Sequence, residues 1–387
     1  MQIVRYSFPT EIFFGPKASG LLPSKLNALS HRRPLVVTDK GLVERPIVRR
    51  LVSRLNENNL YPQVFSEIFG NPVLSQVVAG VSAFRQHDAD CVVAIGGGAA
   101  MDVAKAIGLM IHHPGHLFDY EDGKATRTFD RPMPFLVALP TTSGTGSEVG
   151  RSTVISDDVD KTKKIVFDPI LLPKIVFADP ELTLDLPSHI TASTGMDALS
   201  HLLESFIAKG FHPMCDGIAL EGLFLLSTSL SKAVLASQNP HENQENNLWV
   251  RGQMMNAALM GAVAFQKGLG VTHSCAHALS TVCDLHHGLA NGIMLPFAME
   301  FNLSAVSDKF SRVAHVLNLP EKTPGAVVDW LHQLKKEIAI PEKLSTVGVK
   351  SDDIESLVKV AIADGCHLSN PREVAAADFK AIFEKAL

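Results

Sequence analysis

The sequence predicts an α/β domain built on a parallel sheet over residues 1–185, followed by an all-helical domain over residues 186–387. Three observations predict it. The chain has 387 residues, more than one core of ordinary size organises. Its first half alternates short apolar runs with helix-period segments, the pattern of a parallel sheet covered by helices. After about Pro187 the strand-like runs stop and only long helical patterns remain.

Taken in order, "PLVVTD" (34–39) predicts a short buried strand, with a helix following to about Asn58. "YPQVFSEI" (61–68) predicts a second strand, and "NPVLSQVVAGVSAFRQHD" (71–88) has helical apolar spacing. "CVVAIGGG" (91–98) is a strand ending in glycines, and "AAMDVAKAIGLMIHH" (99–113) is the helix after it. "PFLVALPTT" (134–142) and "KIVFAD" (174–179) are further strands. Beyond them, "ASTGMDALSHLLESFIAK", "MCDGIALEGLFLLSTSLSKAVLA" and "NLWVRGQMMNAALMGAVAF" predict long helices. No low-complexity linker separates the halves, so a cleft between two closely packed domains is the expected ligand site.

Composition narrows the function classes. The chain is 46% apolar and 19% charged, with a formal net charge of −5. No Lys/Arg run offers the basic face that nucleic-acid binding needs. No uninterrupted apolar run reaches the roughly 18–20 residues of a membrane span, and the N-terminus lacks a secretory pattern. Five cysteines in irregular spacing, without CxxC, predict free thiols in a reducing compartment, hence a cytoplasmic protein.

The turn "VVAIGGGAAMDVAKA" (92–106) runs from strand through three glycines into a helix, which suits close approach of a phosphate to backbone N–H groups. An ordinary tight strand–helix turn has the same look, because GGG is not the GxGxxG fingerprint. Asp102 is expected in the first helical turn. "ALPTTSGTGSEV" (138–149) is a second polar loop after a strand, rich in hydroxyls that bond phosphate or ribose oxygens. Ligands of open parallel sheets bind beyond the strand C-termini, so two such loops reinforce each other. Asp39, ending its strand, suits an adenosine ribose and repels a 2′-phosphate, which favours NAD over NADP; it also suits a plain turn or helix cap.

"VTHSCAHALSTVCDLHHG" (271–288) holds four histidines, His273, His277, His286 and His287, in eighteen residues. One buried histidine is ordinarily a satisfied core residue. Four in an apolar segment need a shared reason, because each buried imidazole needs partners for both nitrogens. Asp197 and His201 lie four apart in "GMDALSHLLESF", and so do His273 and His277, so each pair shares a helix face. Three imidazoles and a carboxylate suit Zn²⁺ or Fe²⁺. Cys275 falls on another face of its helix.

Together "GGGAAMDVAK", "PTTSGTGSEV", "GMDALSHLLESF", the His273–Gly292 segment with "HGLANG", and "NPR" (370–372) make the whole chain resemble the iron-containing (group III) alcohol dehydrogenases. The resemblance implies a dehydroquinate synthase-like fold, with a Rossmann-like dinucleotide-binding domain and an all-helical metal-binding domain. It implies Fe²⁺, or Zn²⁺, on Asp197, His201, His273 and His287. The choice of His287 over His286 follows the histidine that directly precedes the glycine of "HGLAN". It implies NAD contacts from Asp39, Asn71, Gly97, Gly98, Asp102, Thr141, Thr142, Thr145 and Lys164, and a proton-transfer role for His277. Where the family usually continues its glycine turn with serine, this chain has Ala99. That substitution removes a hydroxyl and keeps the backbone donors. The expected activity is hydride transfer between NAD(H) and a small alcohol or aldehyde, with no nucleic-acid or membrane partner and a homodimer as the default assembly. Alternatives on the same scaffold are a glycerol dehydrogenase-like enzyme, a hydroxyacid–oxoacid transhydrogenase, a dehydroquinate synthase-like lyase and a non-catalytic metal or nucleotide binder. The mostly apolar surroundings of the ligands favour a small neutral substrate over the lyase's phosphorylated one.

Overall fold

The computed structural model describes residues 6–159, 162–240 and 242–387. The chain divides into two compact units. One holds Pro9–Thr142 and Gly146–Thr183; the other holds Leu184–Leu387, together with Ser143–Thr145 and residues 6–8.

In the α/β unit the strands are β1 (Glu11–Phe14), β2 (Pro34–Asp39), β3 (Gln63–Ile68), β4 (Cys91–Gly96), β5 (Phe135–Pro140), β6 (Ser152–Ser156), β7 (Lys163–Phe167) and β8 (Ile175–Ala178). The helices are α1 (Leu22–Ala28), α2 (Pro46–Glu57), α3 (Leu74–His87) and α4 (Gly98–His112). Six strands form one sheet in the order β1-β8-β5-β4-β2-β3, with every pairing parallel. β4 is buried along its whole length, as its unbroken run "CVVAIG" demands. The chain leaves β2 for β3 on one side and places β4 on the other. The topological switch point therefore lies between the C-terminal ends of β2 and β4. β6 and β7 form a separate antiparallel hairpin. Neither that hairpin nor β1 stands among the strands expected from the sequence.

At the end of β4 the backbone turns sharply into α4. Gly96 has φ +156°, and a Cβ there would lie 2.6 Å from the Ala100 Cβ. Only glycine passes that point without moving the helix. α4 begins at Gly98, so Asp102 is its fifth residue and the first turn holds no acidic side chain. This corrects the expected first-turn position. Asp102 is half-buried and grips the loop beyond β5: Oδ1 accepts the Ser147 hydroxyl at 2.6 Å and Oδ2 accepts the Val154 N–H at 3.1 Å. Lys105, which is buried, donates to Ser147 Oγ and to the Ser152 carbonyl, each at 2.8 Å.

The other unit is helical: α5 (Ser188–Ile207), α6 (Pro213–Ala236), α7 (Gln244–Ala264), α8 (Val271–Cys283), α9 (His287–Asn302), α10 (Ser307–Val316), α11 (Pro324–Glu337), α12 (Ile354–Ala363) and α13 (Ala376–Ala386). α5 is its centre, buried on every side from Thr191 to Ile207 and packed on α6, α7 and α9. Most of its buried hydroxyls are satisfied within the helix, and that of Thr191 bonds the Leu186 carbonyl just before it. Ser193, Thr194 and Ser200 donate to the carbonyls four residues back. α6 is long and apolar enough to cross a membrane by length and composition, with a mean hydropathy of 1.5. Here it packs along α5 and α7, with 44% of its most apolar 18-residue stretch buried.

A pH dependence follows from Glu148, buried beside the Asp102–Lys105 pair. Burial pushes its carboxyl up to about 7, while the Lys105 charge pulls the other way. A carboxyl raised on folding contributes stability that is present below its unfolded value of 4.5 and is lost as pH rises through about 7. Urea unfolding of Glu148→Gln and the parent is therefore expected to show the variant gaining relative stability as pH rises across that window. Parallel pH curves would contradict the assignment.

Candidate active site

Three imidazoles from three helices face one carboxylate oxygen. α5 contributes Asp197 and His201, one turn apart, α8 contributes His273, and α9 opens with His287. The His287, His273 and His201 Nε2 atoms lie 3.4, 3.8 and 3.9 Å from Asp197 Oδ1. Ligand atoms of Asp197, His273 and His287 all lie within 4.8 Å of one another. The His201 ring stacks on His273 with centroids 4.7 Å apart. Asn291, one turn along α9, donates its amide to Asp197 Oδ1 at 2.8 Å, and that nitrogen lies 3.1 Å from His287 Nε2.

Close helix approach makes this possible. A Cβ on Gly288 would run into the Ser193 carbonyl of α5, and one on Gly261 would lie 3.0 Å from His201 Cβ. Both glycines are there for space.

The residues fit a divalent cation. His273 Nε2 is buried with no hydrogen-bond partner, although Asp197 lies close by. Buried polar atoms are normally satisfied, so an unpartnered nitrogen aimed at a buried carboxylate asks for positive charge. A tetrahedral ion with bonds of about 2.0–2.2 Å sets its ligand atoms roughly 3.3–3.6 Å apart; His287 Nε2 meets that spacing to Asp197 Oδ1, while His273 and His201 stand slightly farther off, and the tightest cluster is Asp197, His273 and His287. Burial pushes the His201 imidazole down to about 4, against the pull of Asp197, so that ring stands neutral with a lone pair. His286, beside His287, faces outward and caps α9 by accepting the Leu289 N–H.

Around His273 and His277 lie carboxylates that sequence reasoning missed. Glu204 accepts His273 Nδ1–H at 2.7 Å, and Asp364 accepts His277 Nδ1–H at 2.8 Å. Asp364 also accepts the Ser274 hydroxyl at 2.7 Å and the Cys366 N–H at 2.9 Å. Glu204 had a sequence signal. It lies seven residues after Asp197 and three after His201, on the same helix face. The His277 ring stacks on His287, with centroids 5.1 Å apart. Asn370 of "NPR" accepts the Val271 N–H and exchanges amide bonds with Asn302, which ties the C-terminal segment to the start of α8.

The nucleotide candidates divide. Asp39, Gly97, Gly98, Thr141 and Thr142 gather at the C-terminal ends of β2, β4 and β5, three adjacent strands. Gly97 caps α4 without any side-chain bond, so the first N–H groups of that helix face no side-chain cap. A Cβ on Gly97 would lie 3.3 Å from Thr142. This narrow, uncapped helix start fits a pyrophosphate. Asp39 Oδ1 accepts the Gly41 and Leu42 N–H groups, which fixes its carboxylate at the strand end. The remaining four expected contacts sit on α4 (Asp102), on β7 (Lys164), in the loop beyond β5 (Thr145) and in the turn before α3 (Asn71). Asp102 is committed to Ser147 and Val154, Lys164 on β7 pairs with Asp157 at 3.0 Å, and Thr145 belongs with the helical unit. Asn71 is exposed in the turn before α3.

Gly288→Ala is expected to force α9 off α5, costing about 1–3 kcal/mol of stability and loosening cation binding together. Thermal unfolding and metal content measure both. A variant with parent stability and full metal would show that the close approach is unimportant.

The chain is similar to known proteins along its whole length. Residues 9–180 match the family model for iron-containing alcohol dehydrogenase, and residues 191–387 match the model for the C-terminal part of that family. A 4-hydroxybutyrate dehydrogenase of Cupriavidus necator is 36% identical, with both chains covered in full (100%). An NAD-dependent methanol dehydrogenase of Bacillus methanolicus is 34% identical over 97% of this chain and 99% of its own. A 1,3-propanediol oxidoreductase crystal structure superposes with a TM-score of 0.93 at 32% identity, covering 100% of both chains. The chain belongs to the iron-containing alcohol dehydrogenase family and is an NAD(H)-linked, metal-dependent alcohol dehydrogenase and aldehyde reductase.

Proposed function

We propose that the chain interconverts a small terminal alcohol and its aldehyde. Asp197, His201, His273 and His287 hold the divalent cation and His277 carries the proton. The observation that supports this reading most is the approach of three imidazole nitrogens to one buried carboxylate oxygen, Asp197 Oδ1. Relatives named for 4-hydroxybutyrate, methanol and 1,3-propanediol all carry a primary alcohol in the name, which supports a terminal hydroxyl over a secondary one.

When bound, the cation supplies Lewis acidity to the alcohol or carbonyl oxygen, and the nicotinamide supplies or takes the hydride. The chain's own contribution is placement and proton handling. The ends of β2, β4 and β5 and the start of α4 hold the dinucleotide, with Asp39 on the ribose. Asp364 fixes the His277 ring with its proton on Nδ1. Burial acts to raise the Asp364 carboxyl, but its bonds to His277, Ser274 and the Cys366 N–H win and hold it well below the usual carboxylate range. An anionic Asp364 keeps the His277 proton on Nδ1 and leaves Nε2 free of that bond. His277 Nε2 is then the atom that takes the proton from the reacting hydroxyl, or returns it. We place the enzyme in the reducing cytoplasm as a homodimer. Its five free thiols support the compartment, and closed two-fold dimers are the commonest assembly.

The test is NADH consumption by protein reconstituted with Fe²⁺ or Zn²⁺, over matched terminal aldehydes and ketones. Metal-dependent turnover favouring terminal aldehydes is expected. Preference for ketones, or no metal dependence, would overturn the reading. His273→Ala is expected to lose metal and activity together. His277→Ala is expected to keep metal and lower kcat by about 100-fold or more. Normal turnover in His277→Ala across the neutral range would remove its proton role.

A further inference from the structure

Glu204 is wholly buried and carries four bonds at one end of its side chain. Oε1 accepts the Thr272 N–H at 2.6 Å. Oε2 accepts the Gly270 N–H at 3.0 Å, the His273 N–H at 3.3 Å and His273 Nδ1–H at 2.7 Å. α8 has no side-chain cap of its own, since Gly270 stands at its N-cap. A carboxylate from α5 therefore does the capping from 66 residues away in sequence. Its negative charge also sits where the helix dipole is positive.

We propose that Glu204 is the positioning residue that sets cation affinity at the four-ligand site, through the tautomer and basicity of His273. This rests on the reading of His273 as a ligand. With Nδ1–H committed to Glu204, the His273 lone pair lies on Nε2, the atom aimed at Asp197 Oδ1 and otherwise without a partner. An anionic acceptor on Nδ1–H makes Nε2 a stronger donor, and partners of this kind govern metal affinity in carboxylate–histidine–metal triads. The same carboxylate sits on α5 in line with Asp197 and His201. It thus locks the ligands of α5 in register with the ligand of α8.

The test compares Zn²⁺ affinity of the parent, Glu204→Gln and His273→Ala by competition with a chelator, alongside circular dichroism and NADH binding. Glu204→Gln is expected to fold and to bind Zn²⁺ roughly 10–100-fold more weakly, with NADH affinity unchanged. A folded Glu204→Gln with parent Zn²⁺ affinity would overturn the proposal and leave Glu204 as a helix cap only. If Glu204→Gln does not fold, ¹⁵N-histidine spectra of the Zn²⁺-loaded parent decide. The His273 ring, assigned by the loss of its signals in His273→Ala, is expected to carry a proton on Nδ1 and the metal on Nε2. Metal on Nδ1 of that ring, or no Nδ1 proton, would overturn it. Failure of the underlying ligand reading looks different: His273→Ala would then bind Zn²⁺ as the parent does.

Discussion

A buried carboxylate oxygen facing three imidazole nitrogens is a demand for positive charge, and the helical unit is arranged around it. Asp197 and His273 are each about 1% exposed, so water does not meet that demand. Removing a carboxylate from water is costly unless it is paired and hydrogen-bonded. In this structure the Asn291 amide meets part of the need, while His273 Nε2 stays unpartnered. A divalent cation resolves both at once. Other local features serve the same end: the full burial of α5, the glycines that let α7 and α9 approach it, and the carboxylate that holds the start of α8.

The α/β unit solves the complementary problem of negative charge. Its sheet brings three strand ends together at a topological switch point, and a glycine turn leads into a helix start without a side-chain cap. Uncapped N–H groups are the donors a pyrophosphate uses. Behind that turn, Asp102, Ser147 and Lys105 join α4 to the loop beyond β5.

Much of this was legible in the sequence, for reasons tied to particular residues. Buried parallel strands are nearly continuous apolar runs, so "PLVVTD" and "CVVAIG" announce themselves. Pairs four apart project from one helix face, so Asp197 with His201 and His273 with His277 could be read as pairs. β1 was not legible: "EIFF" is short and only partly buried. The β6–β7 hairpin was missed because "STVIS" and "KKIVF" mix polar and apolar residues without the glycine-rich two-residue turn that marks hairpins. The bonds of Asp102 to Ser147 and Val154 were not legible because those residues lie on that unseen hairpin and the loop before it. Glu204 carried a periodic signal that went unused. Asp364 carried none, since it meets His277 across 87 residues of chain.

The central claim is that one oxygen and three imidazole ligands from Asp197, His201, His273 and His287 share one cation. X-ray absorption at the metal edge of anaerobically loaded protein tests it most directly. The account predicts a shell of nitrogen and oxygen ligands with the multiple-scattering signature of three imidazoles, and no sulfur. Sulfur in the shell, or fewer imidazoles than three, would contradict it.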